Sequence, residues 1–401
     1  MNYRRCLFLL PTLLMGCQGL FEDPDSEILR NSAVSPVEVA GNRTWSGVSA
    51  GSNHTCALST DGDAYCWGDN EFLQTGSMVD EACASGARCV RTPTAVSGGH
   101  KFVQIVAGLK MSCARTAAGA VWCWGGGYAT DGTAYLGDGA LSRRAAPVRV
   151  ASDSVFTFIS NVFNGGCALT ASGQAWCWGE NANGQIGDGT TINRPTPVAA
   201  GGPLRFTRIA YDGPHRCGLA IGGALYCWGE NRWGQLAVGD VPYNNFGAIL
   251  STPTAALGGG TYTDVAVGGA HTCVMRANGQ VLCAGSNALG TLGDGTSISH
   301  RGTLSAVAGS LVATQITAGY IATCALTADG TAYCWGGNWY GGLGIGYRND
   351  DGQATPQRVD GGPFAKISVG GGHGCAITPT ERLYCWGDDT KGAVGRERRE
   401  T

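Results

Sequence analysis

Cysteine is the residue type with the plainest chemical meaning in this chain of 401 residues, because its spacing is regular. Fourteen of the 18 Cys fall in seven pairs ten positions apart: Cys56 and Cys66, Cys113 and Cys123, Cys167 and Cys177, Cys217 and Cys227, Cys273 and Cys283, Cys324 and Cys334, Cys375 and Cys385. Two chemistries suit such pairs. Thiolates joined by imidazoles would hold a metal such as zinc, and His54, His215, His271 and His373 each stand two residues ahead of a Cys, on the same face of a strand. The equivalent positions in the other three repeats are Met111, Gly165 and Ala322, whereas the Cys pair occurs in all seven. The pairs therefore do not depend on the His, and disulfides are the preferred reading. If Thr60-Asp61-Gly62 is a three-residue hairpin loop, the two Cys face one another across an antiparallel pair. Cα atoms are then about 4.5 Å apart, at the short end of what a disulfide spans. Seven cross-strand bridges are expected, with an eighth, between Cys83 and Cys89, pinning an inserted loop. The four His are expected to be structural and to bond nearby backbone, and no metal or cofactor is expected.

Catalytic chemistry is sparse. The six His are too scattered to nominate a triad, and the carboxylate pairs Asp350 with Asp351 and Asp388 with Asp389 sit in turn-like segments. Gly-Asp-Gly at 137–139, 187–189 and 293–295 has ligand types suited to calcium, but a tight turn that exploits glycine explains it more simply. No catalytic residue is assigned and an enzyme is not expected.

The cysteine pairs recur every 50 to 57 residues, a repeat architecture whose period fits a four-stranded unit. Each unit has an alternating strand such as 262–268, a short strand beginning at the first Cys, a Gly-containing turn, and a strand of the form Tyr65-Cys66-Trp67-Gly68. β-Branched and aromatic residues bounded by Gly turns are the pattern of strands and hairpins. A fourth strand begins near Pro in most units, as at 93–96 and 195–198. Proline cannot donate to a ladder, so this strand belongs at the outer edge. The last unit ends without one, while Pro36-Val37-Glu38-Val39 precedes the first unit and has the missing pattern. The prediction is an all-β, seven-bladed β-propeller of four-stranded blades, its ring closed by an N-terminal strand that completes the last blade.

Residues 1–16 have the parts of an export signal: Arg4 and Arg5, an apolar run, and a small residue before Cys17. Leu14-Met15-Gly16-Cys17 resembles the lipobox of bacterial lipoproteins, with Met15 as a departure, and implies lipidation at Cys17. Residues 17–34 are expected to be the lipidated Cys and a solvated tether, and 35–401 the propeller. The 66 Gly are more than twice the ordinary share of about 7%. The net charge of −3 removes the basic balance on which nucleic-acid binding usually depends.

The Trp-Gly strand followed by a loop such as Asn181-Ala182-Asn183-Gly184-Gln185-Ile186-Gly187 resembles the repeat of the regulator of chromosome condensation family. The resemblance recurs seven times over roughly 35–401 and implies a seven-bladed propeller. Ala284 departs from it by replacing the Trp of the fifth repeat. The founding member's nucleotide exchange and chromatin binding are not expected here, given the export signal and the absence of a basic arm. Long insertions at 75–91, 126–139, 239–251 and 347–352 share one slot of the unit and should emerge on one face. With their neighbours they bring Tyr128, Tyr135, Trp233, Tyr243, Phe246, Trp339, Tyr340 and Tyr347, residue types enriched at interfaces. The expectation is an interaction module that binds a protein, ahead of a glycan, through this loop face. It would be a monomer at the bacterial cell envelope, an outer-membrane lipoprotein or otherwise secreted, touching membrane only through its lipid. The alternatives are a hydrolase or lyase with a central-funnel site, and a structural surface protein.

Overall fold

The computed structural model of the chain describes residues 32–79, 81–83, 86–127, 134–160, 163–239 and 249–397. Cys17, Tyr128, Tyr243 and Phe246 lie outside them. Seven antiparallel sheets succeed one another, and each packs on the next through its inner strands until the last meets the first. In blade one, Trp45–Ala50, His54–Ser59, Ala64–Asp69 and Arg88–Ala95 run in order from the axis to the rim. A two-residue strand, Glu81–Ala82, is added at its edge. Blade seven is composite. Lys366–Val369, His373–Ile377 and Leu383–Asp388 come from the C-terminal part, and Ser32–Glu38 supplies the rim strand with Val37 opposite Cys385. That strand begins at Ser32 rather than at 35, so the end of the expected tether is part of the sheet.

All seven Cys pairs are in register and bridged. Cys56 joins Cys66, Cys113 joins Cys123, Cys167 joins Cys177, Cys217 joins Cys227, Cys273 joins Cys283, and Cys324 joins Cys334, each with Cα atoms 4.1 Å apart. In the seventh, Cys375 joins Cys385 at a Cα separation of 4.0 Å. The expected spacing of about 4.5 Å was that of an unbridged pair; the observed one is shorter, as the covalent link draws the strands together. Cys83 joins Cys89 in the eighth bridge, across the inserted loop of blade one.

The blades adhere mainly through tryptophan. Trp67, Trp124, Trp178, Trp228, Trp335 and Trp386 are all essentially inaccessible. An indole buries on the order of 200 Å², which at about 25 cal/mol per Å² contributes on the order of 5 kcal/mol before entropy is counted. Each of these rings abuts a glycine in the preceding blade's loop. A Cβ on that glycine would lie within 3.0 Å of the indole nitrogen: Gly395 on Trp67, Gly76 on Trp124, Gly137 on Trp178, Gly187 on Trp228, Gly293 on Trp335 and Gly344 on Trp386. The fifth repeat explains itself by this contact. Ala284 replaces its Trp, and the position facing it holds Ala237, at φ +55°, instead of glycine. The methyl group and the indole exclude one another, and this chain has neither together.

The four histidines are structural, and each meets a hydroxyl of the neighbouring blade through Nε2. The Nε2 atoms of His54, His215, His271 and His373 lie 2.8–2.9 Å from the hydroxyls of Ser112, Thr272, Thr323 and Thr55, respectively. Three of these hydroxyls donate onward, Ser112 to the Gln74 carbonyl, Thr55 to that of Ala393 and Thr323 to that of Thr291. Each must therefore accept from an imidazole protonated at Nε2. The same three carbonyls accept from the indoles of Trp124, Trp67 and Trp335. One carbonyl oxygen thus collects two bonds from the next blade, and the His completes a latch. Burial holds the four imidazoles far below their usual range, at about 3 for His54 and His215 and about 4 for His271 and His373. They are neutral in the folded chain.

Where the His is missing, the next blade lacks the hydroxyl too: Gly166 follows Met111, Arg216 follows Gly165, and Gly374 follows Ala322. In blade four Arg216 stands at the position that holds the hydroxyl in latched interfaces. It is fully buried, donates to Cys167 Sγ at 2.9 Å and lies over the ring of Tyr211 at 4.0 Å.

Candidate functional site

In an antiparallel blade, the loop from first to second strand and the loop from third to fourth strand emerge at the same end. The sequence-predicted insertions therefore share a face with the short inner loops that surround the axis. The longer loops are organised by their leading Asn. Asn181 Oδ1 accepts the Ile186 amide at 2.8 Å while its Nδ2 donates to the Thr190 and Ile192 carbonyls at 3.0 Å. Asn231 and Asn338 accept in the same way from Leu236 and Leu343. The Gly-Asp-Gly carboxylates are committed as well. Asp188 and Asp294 each accept from a threonine hydroxyl, Thr190 and Thr296, and from a guanidinium, Arg194 and Arg301. Burial alone would raise these carboxyls, but the hydroxyl and guanidinium bonds outweigh it and hold both below the usual range. They are turn fixtures.

Of the predicted face residues, three gather on blade six. Trp339 is 42% and Tyr347 49% exposed, and the Trp339 indole donates to the Asp350 carbonyl at 2.9 Å. Tyr340 points inward to the axis. The others stand apart. Trp233 meets His300 edge-on at 6.1 Å under the Arg232 guanidinium, and the Tyr135 hydroxyl accepts from Asn193 at 2.8 Å. On blade one, Phe72 is covered by the Lys110 ammonium at 3.3 Å and the Arg143 guanidinium at 4.5 Å.

At the axis this face opens into a mouth of about 360 Å³. Its walls include Leu109, Phe163, Asp212, Tyr320, Tyr340 and Asp388, with glycine backbone between them. Tyr320 is 60% exposed and its ring lies over Gly269, where a Cβ would come within 2.6 Å of it. Phe163 stands edge-on to Tyr211 with centroids 6.3 Å apart. Asp388 accepts the Thr390 amide at 2.9 Å. Asp212 has no hydrogen bond or ion pair among the described residues, and burial pushes its carboxyl up to about 7. Leu109, Phe163, Asp212 and Tyr320 belong to inner loops that carry no long insertion, so loop length does not single them out. The available signal was residue type: bulky or charged side chains in a slot that holds glycine in blade seven.

Farther along the axis, a cavity of about 570 Å³ is lined by the first strands of all seven blades. Its polar groups are used as straps. Gln104 bonds both backbone groups of Ile159, Gln315 both of Ile367, Arg208 pairs with Asp264 at 3.5 Å, and Lys366 donates to the Ser46 carbonyl. These bonds join adjacent blades, and among the described residues the only carboxylate lining the cavity, Asp264, is already paired.

Comparison with known proteins accords with this geometry. Models of the regulator of chromosome condensation (RCC1) repeat match residues 45–74, 262–291, 313–341 and 364–393 in one form and 172–215, 222–275 and 329–377 in another. The ultraviolet-B receptor UVR8 of Arabidopsis thaliana is 30% identical over 368 residues, 87% of this chain and 78% of the receptor. The chain belongs to the RCC1 repeat family. The regulator of chromosome condensation of Drosophila melanogaster is 35% identical over 120 residues, 29% of this chain and 22% of that protein. Among solved structures, human WBSCR16 superposes with a TM-score of 0.72 at 20% identity, over 88% of this chain and 89% of that one. Yeast RCC1 (Prp20), solved bound to Kap60, superposes with a TM-score of 0.72 at 18% identity over 96% of both chains. At those identities the structures establish the shared fold. Within it, eight disulfides fit an oxidising, extracellular or secreted setting. Among the described residues no helix is long and apolar enough to cross a membrane.

Proposed function

We infer that this RCC1-repeat propeller is a non-enzymatic protein-binding module that presents one loop face to its partner. The observation that carries the reading is the contrast between the ring and that face. Bridges, indoles and latches fix the blades to one another, while exposed Trp339, Tyr347 and Tyr320 are left on the loops at a single end. A rigid scaffold with aromatic side chains on its loops is the arrangement of an interface anchor. Family relatives support it: yeast RCC1 was solved with Kap60, and Prp20p was studied for binding to Gsp1p and histones. Those partners belong to those proteins.

We also propose that the chain sits at the bacterial cell envelope, anchored through a lipid on Cys17 after removal of residues 1–16 and tethered by the segment that ends where the rim strand begins at Ser32. The reading rests on the N-terminal pattern and on the disulfides. Two experiments test the two parts. A photo-crosslinking residue in place of Tyr347 should capture a discrete protein on intact cells, and equal capture by the same residue in place of the exposed Asp61, in a hairpin at the opposite end of the blades, refutes the face. Cys17→Ala should abolish incorporation of labelled fatty acid, and unchanged labelling refutes the anchor.

A further inference from the structure

Asp212 sits at the axial mouth with no hydrogen bond or ion pair among the described residues, and the rings of Phe163, Tyr320 and Tyr340 stand among the glycines of the mouth's other walls. Phe163, Tyr320 and Tyr340 come from blades three and six, Asp212 from blade four and Asp388 from blade seven, so the groups surround the axis. Among the described residues no Lys or Arg lines the opening. Lys110, on the loop next to Leu109, is drawn away to the ring of Phe72. A carboxylate in such surroundings is costly to ionise without a cation beside it. Aromatic faces attract the same kind of ligand, since the ring quadrupole favours a positive charge within about 6 Å. The opening of about 360 Å³ is near the lower end of ligand-site volumes. It is too small for a domain or helix and roomy enough for one long side chain with some of its water.

On this basis we propose that the mouth is a receptor for a single cationic side chain, the ammonium of a lysine presented by the protein partner, seated against Asp212 and the rings of Tyr320, Phe163 and Tyr340. This rests on the protein-binding reading and specifies what that partner must carry at the axis. Asp388 supplies a second negative charge on the opposite wall, already oriented by the Thr390 amide. The glycines beneath the rings are part of the device. A side chain at Gly269 would displace the ring of Tyr320, and one at Gly372 would meet Tyr340 at 3.4 Å.

The test uses the full chain with N-acetyl-lysine methylamide as probe and N-acetyl-norleucine methylamide as its uncharged counterpart, titrated by calorimetry and by the shift of tyrosine fluorescence. The lysine probe should bind saturably and the norleucine probe at least tenfold more weakly. Asp212→Asn should weaken the lysine probe about tenfold and Tyr320→Leu several-fold, each with an unchanged thermal midpoint. Two variants on different blades keep the test usable if one fails to fold. Equal binding of the two probes, or wild-type affinity in Asp212→Asn, overturns the proposal; so does preferential binding of a neutral oligosaccharide run as a third probe. Crosslinking from position 347 separates this from the broader reading. If Asp212→Asn captures the partner as well as the wild type does, the mouth assignment fails and the face stands. If the wild type captures nothing, the face fails, and the probe titration still decides the mouth.

Discussion

Gly187→Ala is the sharpest single probe of how the blades adhere, because its effect divides into two parts that can be measured separately. The first part is backbone. Gly187 has φ +80°, and an L-residue there costs roughly 1–2 kcal/mol; Ala237 shows that the fold accommodates it at an equivalent position, at φ +55°. The second part is contact. The new Cβ would stand 2.7 Å from the Trp228 indole nitrogen, 3.0 Å from Cδ1 and 3.1 Å from Cε2. The ring must retreat into a core already closed by Phe206 and Ile209. It would also lose its 2.9 Å bond to the Gln185 carbonyl. Overpacking of this kind costs about 1–3 kcal/mol and the bond about 1 kcal/mol. The substitution should therefore cost about 3–6 kcal/mol in the native protein, but only the backbone share of about 1–2 kcal/mol in a Trp228→Ala background. Guanidinium unfolding of the two single variants and the double variant gives the coupling directly, expected at about 2–4 kcal/mol from the contact terms. If Gly187→Ala costs the same in both backgrounds, the exclusion of methyl by indole is wrong. So, then, is the explanation of the Ala237–Ala284 pair.

Three further outcomes follow from the same contacts. Acid should unfold the ring earlier than an ordinary carboxylate content implies: the four buried His are held below an unfolded value near 6.5, so their stabilisation is complete above it and is lost as pH falls towards 3–4. Each adds about 1.4 kcal/mol per pH unit in that window; the guanidinium midpoint should drop between pH 6 and 5, more shallowly in His215→Gln, and a flat profile contradicts the latch. Replacing Cys217 and Cys227 together with Ala should cost about 2–3 kcal/mol by loop entropy, measured by thermal unfolding, and alkylation without reductant should label none of the 16 bridged Cys. Val37→Asp would place a carboxylate at the closing strand, which packs on the core between blades seven and one, and should destabilise by about 2–3 kcal/mol with early proteolysis of the N-terminal segment.

The repeat period, the Cys register and the borrowed rim strand were all legible because each depends on spacing along one strand or hairpin. Cys123, Cys177, Cys283 and Cys334 each face the Cys ten positions earlier, as that spacing requires. What escaped depends on which residue of one blade meets which residue of the next. His54 two places before Cys56 looks like a ligand beside its own thiol; its real partner is Ser112, 58 residues away on the adjacent blade. The signal was present, since a Ser or Thr follows in the next repeat wherever the His occurs and is missing wherever it is not. It becomes intelligible only once the ring places repeats side by side, with the last against the first. Ala237 and Ala284 are the same case, two separate departures until the glycine-to-indole contact joins them. Insertion length pointed to Tyr347, with Trp339 and Tyr340 as its neighbours on blade six. It passed over Leu109, Phe163, Asp212 and Tyr320, since inner loops are short in every blade and length carries no information there.

Those inner loops bring the latches and the mouth into one relation. The blades that lack the His are the second, third and sixth, and their inner loops carry Leu109, Phe163 and Tyr320. The four latched blades have no apolar side chain larger than alanine at 51–53, 212–214 apart from Pro214, 269–270 and 370–372. In blades one and five a Cβ at Gly51 or Gly268 would lie within 3.0 Å of the His54 or His271 ring. Latched blade four nevertheless carries Asp212 at that position, and unlatched blades two and six keep Gly108 and Gly319, so the contrast lies one residue further on, where Leu109, Phe163 and Tyr320 replace Ser52, Gly213, Gly269 and Gly371. Three interfaces thus forgo a bond worth on the order of 1 kcal/mol, and the same three blades supply bulky groups to the axial opening. Departures from a repeat's own rules tend to collect where function is served, and here they converge from separate blades on one opening. That convergence favours the mouth, over the strapped cavity farther along the axis, as the place where this propeller meets its ligand.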